Sequence, residues 1–519
     1  MQICKCPRDQ LFAAVICAAA VLLSGCSTSE PPSGNQTVLA PAGKAAEEKA
    51  PAVQPVVKTA PSDAPNIILI TIDALRADHL GCYGYSRNIT PQIDALAAQG
   101  VLFEHVISTS SWTAPAMASL FTGRYPRTHT VRHGIYSPED TVVVFQEKLP
   151  ETLTTLPERL QRKGYTTIGI STNPHLIRDA GFARGFDIFH EDHALRDAVA
   201  AGVELTLDTL PELLADAQKT TQLALNSVAE ADPERPFFLW VHYMDPHSPY
   251  FPREPWFQQF TSTEPAAMKQ LYNKGFKELV ELQTADASGQ FLNDVMAAYD
   301  SEVAYADKAL GDLLAGLPQN RERALFVLSD HGEQFYEHGY FYHGFTLFNE
   351  EIHVPLVIVL PGGRPPQRVS QTVSLLDVTR TVLDYAGIKS DKGQQGQSLL
   401  PLVTGEGQVP DQQIAVSEFE RFKRYEVSVV RGTDKIIWKQ ETNSALYFDL
   451  KTDPAEHAGV PVRLSPAGLD LQKALGVWRD WTPFHEGVQM KVDMSEAGEG
   501  GGMEAAIMEE MKALGYAGG

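Results

Sequence analysis

The sequence predicts an α/β fold: a mostly parallel central sheet flanked by helices, with a small antiparallel sheet near the C-terminus. Three observations predict it. Short, continuous apolar runs recur between residues 66 and 360, helix-like segments lie between them, and the pattern changes after about residue 402. Continuous apolar runs indicate strands that are buried on both faces, as in parallel sheets. Their alternation with helices is typical of α/β proteins.

The elements follow in chain order. The runs that predict strands of the large sheet are NIILITID (66–73), TTIGIST (166–172), PFFLWVHY (236–243), ALFVLSD (324–330) and VPLVIVL (354–360). The helix-like segments are PQIDALAAQG (91–100), a segment around 151–164, and the stretch 292–317. Beyond residue 402, QIAVSEF, EVSVVRG, DKIIWKQ and ALYFDL are short runs separated by turn residues. Such runs predict the small antiparallel sheet.

The N-terminal 25 residues have the layout of a secretory signal. Lys5 and Arg8 precede the apolar run LFAAVICAAAVLLSG, which is too short to predict a spanning helix, and Cys26 follows it. LSGC resembles a bacterial lipobox, which implies a lipid on Cys26; a single uncleaved membrane anchor is the alternative. Ser27 after the cysteine resembles outer-membrane sorting. We therefore expect a lipid-anchored protein of the bacterial cell envelope, at the outer membrane facing the periplasm or the cell surface, with membrane contact through the lipid only.

The rest of the chain divides by composition. Residues 26–63 are rich in Ala, Pro, Ser, Lys and Glu without an apolar period, which predicts a flexible tether. The main domain is predicted over residues 64–402 and an α+β subdomain over 403–485. Residues 486–519 predict a Gly-rich linker followed by a short helix.

The charge of the chain restricts its partners. The formal net charge is −22 over 519 residues. Binding of nucleic acid needs a basic surface that neutralises phosphates, so a nucleic-acid partner is not expected. An anionic substrate would need a local positive site that overcomes the negative field of the whole chain.

Three of the predicted strands end in groups that bind metals or transfer protons. The first run ends at Asp73, and the fourth ends at Asp330 and His331. LWVHYMDPHSPY places His242 and His247 at the end of the third. Ligands of open α/β sheets bind outside the carboxyl ends of the strands. Two carboxylates and one imidazole make a plausible site for one divalent cation, although a lone Asp after a strand is usually a turn or helix cap.

Four longer segments carry a family resemblance. IDALRADHLGCYGY, WTAPAMASLFTGRYP, MDPHSPY and SDHGEQFYEHGYFYHGFTLFNEEIHVPL are similar to segments of the bacterial sulfatase-like branch of the alkaline phosphatase superfamily. Weaker matches extend the resemblance over roughly residues 64–455. Each segment alone is a modest signal, whereas the set in this order is specific.

The resemblance implies roles for individual residues. The ligands of one divalent metal ion would be Asp73, Asp330, His331 and Thr113. The ion would be calcium by family resemblance, with manganese, magnesium and zinc also open. Thr113 aligns with the sulfatase nucleophile. His247 and His343 would contact the substrate anion or protonate the leaving group.

Three assignments near the nucleophile have structural alternatives. His242 and Ser111 are assigned to substrate binding, but His242 fits a packed histidine at a strand end equally well. Ser111 also fits a local cap of the helix that follows it. Thr113 itself also fits a helix cap, and the domain would then bind without catalysing a reaction.

The sequence departs from the sulfatase pattern in three places. Sulfatases typically carry Cys-x-Pro-x-Arg, whose Cys is oxidised to formylglycine, whereas residues 113–117 are TAPAM. Asp73 is followed by Ala74 instead of a second Asp, and NPH (173–175) replaces Lys-x-His. No formylglycine is therefore expected. A threonine hydroxyl remains a sound nucleophile where a metal lowers its pKa and the start of a helix favours an anion.

The predicted function is hydrolysis of sulfate or phosphate esters through a covalent intermediate on Thr113. The substrate would be a small anionic ester or a sulfated or phosphorylated glycan or lipid. One alternative is a transferase that moves a phospho-group to an envelope glycan or lipid. Such relatives usually have several spanning helices before the soluble domain, whereas one apolar segment is present here, which favours hydrolysis. The other alternative is a non-catalytic envelope binding protein on the same fold.

Overall fold

The computed structural model describes residues 63–132, 147–191, 216–272, 276–286, 288–362, 365–406, 413–421 and 424–482. The predicted signal, Cys26, almost all of the tether, and the linker and helix at 486–519 lie outside the described residues. Among the helices of the described residues, none combines the length and the apolar character that crossing a membrane requires.

The β-strands and α-helices of the described residues have the following bounds. The strands are β1 (Asn66–Ile72), β2 (Val101–Ile107), β3 (Thr166–Ser171), β4 (Ile188–Glu191), β5 (Phe237–Tyr243), β6 (Arg323–Ser329), β7 (Gln334–Phe335), β8 (Phe341–Tyr342), β9 (His353–Val359), β10 (Gln367–Ser374), β11 (Ala415–Arg421), β12 (Arg424–Arg431), β13 (Asp434–Lys439), β14 (Ser444–Asp449) and β15 (Val460–Pro461). The α-helices are α1 (Pro91–Ala97), α2 (Thr113–Thr122), α3 (Pro126–His129), α4 (Leu156–Lys163), α5 (Ala217–Glu230), α6 (Phe257–Phe260), α7 (Pro265–Tyr272), α8 (Phe276–Ala285), α9 (Gln290–Gly316), α10 (Asn349–Ile352), α11 (Leu375–Tyr385), α12 (Leu400–Thr404) and α13 (Pro466–Trp481).

Eight strands form the large sheet, in the order β10-β2-β9-β6-β1-β5-β3-β4. All five apolar runs form strands of this sheet, and most neighbours are parallel. β9 differs because it is antiparallel to both β2 and β6. Its apolar run reflects burial on both faces, and burial does not determine strand direction. The mostly parallel sheet predicted from the sequence is thus confirmed, with β9 as the exception.

Three strands of the large sheet were not predicted, for local reasons. β2 contains Glu104 and His105, which interrupt its apolar run. β10, at one edge of the sheet, has only two apolar residues among its eight, and β4 has four residues, none of them fully buried. Continuous apolar character therefore identified the central strands and missed two at the edges.

Helices cover both faces of the large sheet. Successive residues of β1 point to opposite sides, so Ile67 and Leu69 join one hydrophobic cluster while Ile68 and Ile70 join another. The first cluster includes residues of α2, α4 and α11, and the second includes residues of α1, α5 and α9. The helix-like segments found in the sequence correspond to α1, α4 and α9. α4 begins with a capping box formed by Thr155 and Glu158.

β11 to β15 form the small antiparallel sheet, which α13 covers. This sheet confirms the second part of the predicted fold. It packs against the large-sheet region through a cluster in which Phe419 of β11 joins Ile107, Leu347 and Ile352. The backbone N–H of Glu418 also donates to the carbonyl oxygen of Thr109 at 2.9 Å. The end of β11 is therefore held close to the segment that leads into α2.

Candidate active site

The site lies at the carboxyl edge of the large sheet, where three adjacent strands end. β1 lies between β5 and β6. Asp73 follows β1 directly, and Asp330 and His331 follow β6. These three side chains are fully buried, and one ligand atom from each lies within 4.8 Å of the others. The predicted convergence of Asp73, Asp330 and His331 is thus present in the structure.

The arrangement of these donors fits a divalent cation. Asp73 Oδ1 and Asp330 Oδ2 are buried without a hydrogen-bond partner among the described residues. His331 Nε2 lies 3.3 Å from Asp73 Oδ1 and 3.6 Å from Asp330 Oδ2. Its Nδ1 is 2.8 Å from the carbonyl oxygen of Gly332, and an Nδ1–H that donates there leaves Nε2 as a ligand. Two adjacent buried carboxylates are costly unless a positive charge joins them.

The same proximity shifts the pKa values of all three groups. Burial alone would raise the pKa of Asp73, but the nearby His247, His242 and His331 outweigh it and hold that pKa well below its usual range. Burial and the charge of Asp73 raise the pKa of Asp330. Burial would lower the pKa of His331, yet the two carboxylates raise it. A cation that binds this cluster therefore competes with a proton.

Thr113 faces this cluster from the start of α2. It is the first helical residue, and Trp112 is the N-cap, with no side-chain capping hydrogen bond. Thr113 Oγ1 lies 3.2 Å from His331 Nε2. The Ser111 hydroxyl is buried without a partner among the described residues. The capping alternatives for Thr113 and Ser111 are therefore wrong, because neither hydroxyl bonds to a free N–H of α2.

His247 and His343 lie together beside the cluster. Their ring centres are 4.7 Å apart, and the ring of His343 is 4.3 Å from that of His331. Burial lowers the pKa of both, and in His343 the charges of His331 and His247 lower it further. His343 Nδ1 is 2.9 Å from Glu333 Oε1, so an Nδ1–H that donates to this carboxylate leaves Nε2 available for proton transfer.

His242 is enclosed behind Asp73. It belongs to β5 and is fully buried. Its Nε2 lies 3.0 Å from Asp73 Oδ2 and its Nδ1 lies 2.8 Å from Thr71 Oγ1. Both ring nitrogens are thus engaged, which favours the packed alternative over direct contact with substrate. In this position His242 orients the carboxylate of Asp73.

Sequence reasoning missed two side chains that orient the site. Asn173 Nδ2 donates to Asp73 Oδ2 at 2.7 Å, from the position where the sulfatase pattern has Lys. The second is Glu333, two residues after His331. Its place in the DHGE segment, beside Asp330 and His331, could have indicated that it lies near the site. Its contact with His343 could not be predicted from the sequence.

Comparisons with known proteins identify the family of the chain. Residues 65–388 match the family described as Sulfatase, and residues 336–471 match the family described as N-sulphoglucosamine sulphohydrolase, C-terminal. The chain is similar to a choline-sulfatase of Rhizobium meliloti, with 26% identity over 466 residues that cover 81% of this chain and 86% of the relative. It is also similar to a Delta 4,5-hexuronate-2-O-sulfatase of Bacteroides thetaiotaomicron, with 23% identity over 429 residues, 76% of this chain and 84% of the relative.

Among solved structures, a phosphonate monoester hydrolase of Agrobacterium radiobacter matches with a TM-score of 0.62 at 22% identity, over 81% of this chain and 96% of that chain. Identity this low shows the shared fold alone. The Sulfatase match, by contrast, spans more than half of the chain and contains every strand of the large sheet. The chain therefore belongs to the sulfatase family of hydrolases, which act on ester bonds.

Proposed function

We propose that this chain is a metal-dependent hydrolase of sulfate or phosphate esters that reacts through a covalent intermediate on Thr113. The observation that carries the proposal is the position of Thr113 Oγ1, 3.2 Å from His331 Nε2 and beside the two buried carboxylates. A hydroxyl at a helix start, next to such a cluster, has the two features that activate a nucleophile and attract an anion.

Asp73, Asp330 and His331 would hold one divalent cation, with Thr113 as a further ligand. Calcium is proposed from the family resemblance, and the same donors also suit manganese, magnesium or zinc. A cation at this place lowers the pKa of an adjacent hydroxyl and offsets the charge of an ester.

Each side chain of the site has its own role in the proposed reaction. The deprotonated Thr113 oxygen attacks the sulfur or phosphorus, and the bond to the ester oxygen breaks as the new bond forms. His247 or His343 gives a proton to the departing alcohol. Water then attacks the group on Thr113, a histidine takes its proton, and sulfate or phosphate leaves. The free N–H groups in the first turn of α2 and the helix dipole favour the anion throughout.

We propose an oxyanion ester of a glycan as the natural substrate, with a sulfated glycan first and a phosphorylated glycan or lipid second. The likeness to a hexuronate sulfatase supports this order. We also propose that a lipid on Cys26 anchors the chain in the bacterial cell envelope, at the outer membrane. Detergent fractionation and lipid labelling of the full chain check this location.

The first experiment measures turnover and bound metal in parallel. The purified chain is tested on an aryl sulfate, an aryl phosphate monoester, a phosphodiester and a phosphonate ester, with and without calcium, manganese or zinc. We expect Thr113→Ala to lower kcat by at least about 10³-fold while the protein stays folded. Thr122→Ala is the matched control, because Thr122 is buried at the other end of α2 and its hydroxyl donates to the carbonyl of Ala118.

The outcomes separate the candidate functions. Undiminished turnover in Thr113→Ala would eliminate Thr113 as the nucleophile. Unchanged metal content in Asp330→Asn would remove Asp330 from the ligand set. Bound metal without turnover in the unmodified chain would favour the transferase, and a chain with neither would favour the binding protein.

A further inference from the structure

An arginine of the small sheet reaches the candidate active site. Arg421 is the last residue of β11, and its Cζ lies 5.2 Å from the ring centre of Trp112, which precedes Thr113. Its Nη1 lies 3.4 Å from the carbonyl oxygen of Gly344, which follows His343. The guanidinium is thus next to the chain neighbours of both the proposed nucleophile and a proposed proton donor.

The backbone at Gly344 leaves room for this guanidinium. Gly344 has a φ of +75°, and a Cβ at this position would collide with Arg421 Nη1 and lie 3.4 Å from Trp112 Cβ. Any other residue would therefore be strained and would also displace Arg421. The contact joins three distant parts of the chain: the end of β11, the N-cap of α2 and the segment after His343.

The site needs a permanent positive charge to hold an anionic ester. Asp73 and Asp330 are acidic, and the whole chain is strongly negative. The resembling sulfatase pattern has Arg at position 117 and Lys at position 173. Here Met117 is fully buried in a hydrophobic cluster, and the Asn173 amide donates to Asp73. Neither position brings a cation to the substrate.

Arg421 already acts on the electrostatics of the site. After burial, which is the largest cause, its positive charge lowers the pKa of His175, and it also contributes to the lowered pKa of His343. His175 also lies against Trp112, with ring centres 5.8 Å apart. A guanidinium stays charged at every pH of interest, and its N–H groups match the geometry of an oxyanion.

We propose that Arg421 binds the oxyanion of the reacting sulfate or phosphate group and so supplies, from the small sheet, the charge that positions 117 and 173 lack. The assignment rests on the proposed function of the same site. In this arrangement the Trp112 ring packs against the guanidinium of Arg421. The N–H groups at the edge of the guanidinium donate to the substrate oxygens. The small sheet is then part of the substrate-binding site.

The test compares anion binding and turnover in the full chain. Arg421→Gln and Arg421→Lys are the test variants. Arg424→Gln is the matched control, because Arg424 is paired with Arg421 across the β11–β12 hairpin and its Cζ lies 5.1 Å from the ring centre of Phe419. The Kd values of inorganic sulfate and inorganic phosphate are measured by calorimetry. Values of kcat and KM are measured with an aryl sulfate that has no other charged group.

We expect Arg421→Gln to raise the Kd of the inorganic anions by at least about tenfold, since a hydrogen bond to a charged group is lost. Arg421→Lys should recover part of the affinity, and Arg424→Gln should stay within about twofold of the unmodified chain. kcat/KM for the aryl sulfate without a second charged group should fall in parallel with anion affinity.

Two results with the Arg421 variants would overturn the assignment. One is an unchanged anion Kd in Arg421→Gln. The other is a loss confined to aryl sulfates that carry a carboxylate, which would make Arg421 a ligand of a second group. Arg421-dependent anion binding without turnover of any ester would contradict the proposed function and leave this assignment standing. An unmodified chain that binds neither anion would contradict the assignment itself.

Discussion

Glu333 illustrates, at the residue scale, how buried partners prepare the reactive side chains. Its carboxylate is fully buried, and one oxygen is 2.9 Å from His343 Nδ1. The other oxygen has no hydrogen-bond partner among the described residues. Because the contact of the first oxygen is to the side chain of His343, we assign Glu333 the role of a positioning residue that fixes the ring orientation and the tautomer of His343.

Replacing Glu333 should lower kcat more than it raises KM. We expect Glu333→Ala to reduce kcat by about 10²-fold, in line with the usual contribution of a positioned acid or base, and to leave KM within about threefold. Glu333→Gln should retain more activity, because its carbonyl oxygen still accepts from Nδ1–H. Steady-state kinetics with an aryl sulfate measure both constants.

Glu350 offers a matched control for this experiment. It makes a comparable contact with His338, with Nδ1 and Oε1 2.5 Å apart, in a pair that the proposed reaction does not use. Glu350→Gln should leave kcat unchanged. An equal fall of kcat in both variants would assign Glu333 a purely structural role.

Individual site residues were predictable where the fold itself brings them together. Asp73, Asp330 and His331 follow adjacent strands of one sheet, so their convergence follows from strand order. Glu333 and Arg421 were not predictable, because their contacts depend on how a loop and a second sheet pack. The sequence pattern did not indicate, for example, that His343 Nδ1 contacts Glu333.

At the scale of elements, α2 depends on the short helix α3 that follows it. His129, the last residue of α3, is fully buried, and its Nε2 lies 2.9 Å from Ser119 Oγ on α2. Its Nδ1 accepts from the backbone N–H of Val131 at 3.1 Å. Burial lowers the pKa of His129 to about 3, so the imidazole is neutral in the folded protein.

This histidine should make folding stability sensitive to acid. Its pKa is lower in the folded chain than the ordinary value of about 6.5, so between these values the unfolded chain binds more protons. Its stabilising contribution is complete above about pH 6.5 and decreases as the pH falls towards about 3. The slope is at most about 1.4 kcal/mol per pH unit.

Urea unfolding between pH 4.5 and 7.5 measures this slope. We expect His129→Gln to have a smaller dependence of the unfolding free energy on pH than the unmodified chain, whatever its absolute stability. His190→Gln serves as the control because His190 is exposed on β4. Identical slopes in the unmodified chain and in His129→Gln would contradict the prediction.

Helices and strands were predictable where a short stretch of sequence contains the signal, either a continuous apolar run or a helix cap. The central strands were readable because both of their faces are covered, and α4 begins at a capping box that the sequence contains. The antiparallel direction of β9 could not be predicted from its sequence, because it depends on the path of the chain between β6 and β9. The edge strand β10 was not recognised because only two of its eight residues are apolar.

At the scale of the whole molecule, hydrophobic clusters join the small sheet to the large-sheet region, and one of them contains Phe419. Phe419 is fully buried, between residues of the small sheet and residues near the large one. It is also two residues from Arg421 on the same strand. The position of Arg421, which we propose binds the anion, therefore depends on the packing between the sheets.

Removing this contact should destabilise both sheets together. We expect Phe419→Ala to lower the unfolding free energy by about 3–5 kcal/mol, because it leaves a cavity in the shared cluster. Leu446→Ala, at a half-exposed position of the small sheet, should cost less than about 1 kcal/mol. Hydrogen exchange along urea unfolding reports on each sheet. Separate transitions for the two sheets in the unmodified chain would contradict this view.

The strand order also has a consequence for synthesis of the chain. Among the described residues, β1 is the first strand to leave the ribosome, yet its partners β5 and β6 begin at residues 237 and 323. Its apolar residues stay without a partner strand until nearly half of the chain has been made, and exposed strands of this kind are prone to aggregate. We expect the nascent chain to need a chaperone during this interval. Asp73 and Thr113 also emerge long before His331, so the cluster proposed to bind the metal can assemble only after residue 331 has been made.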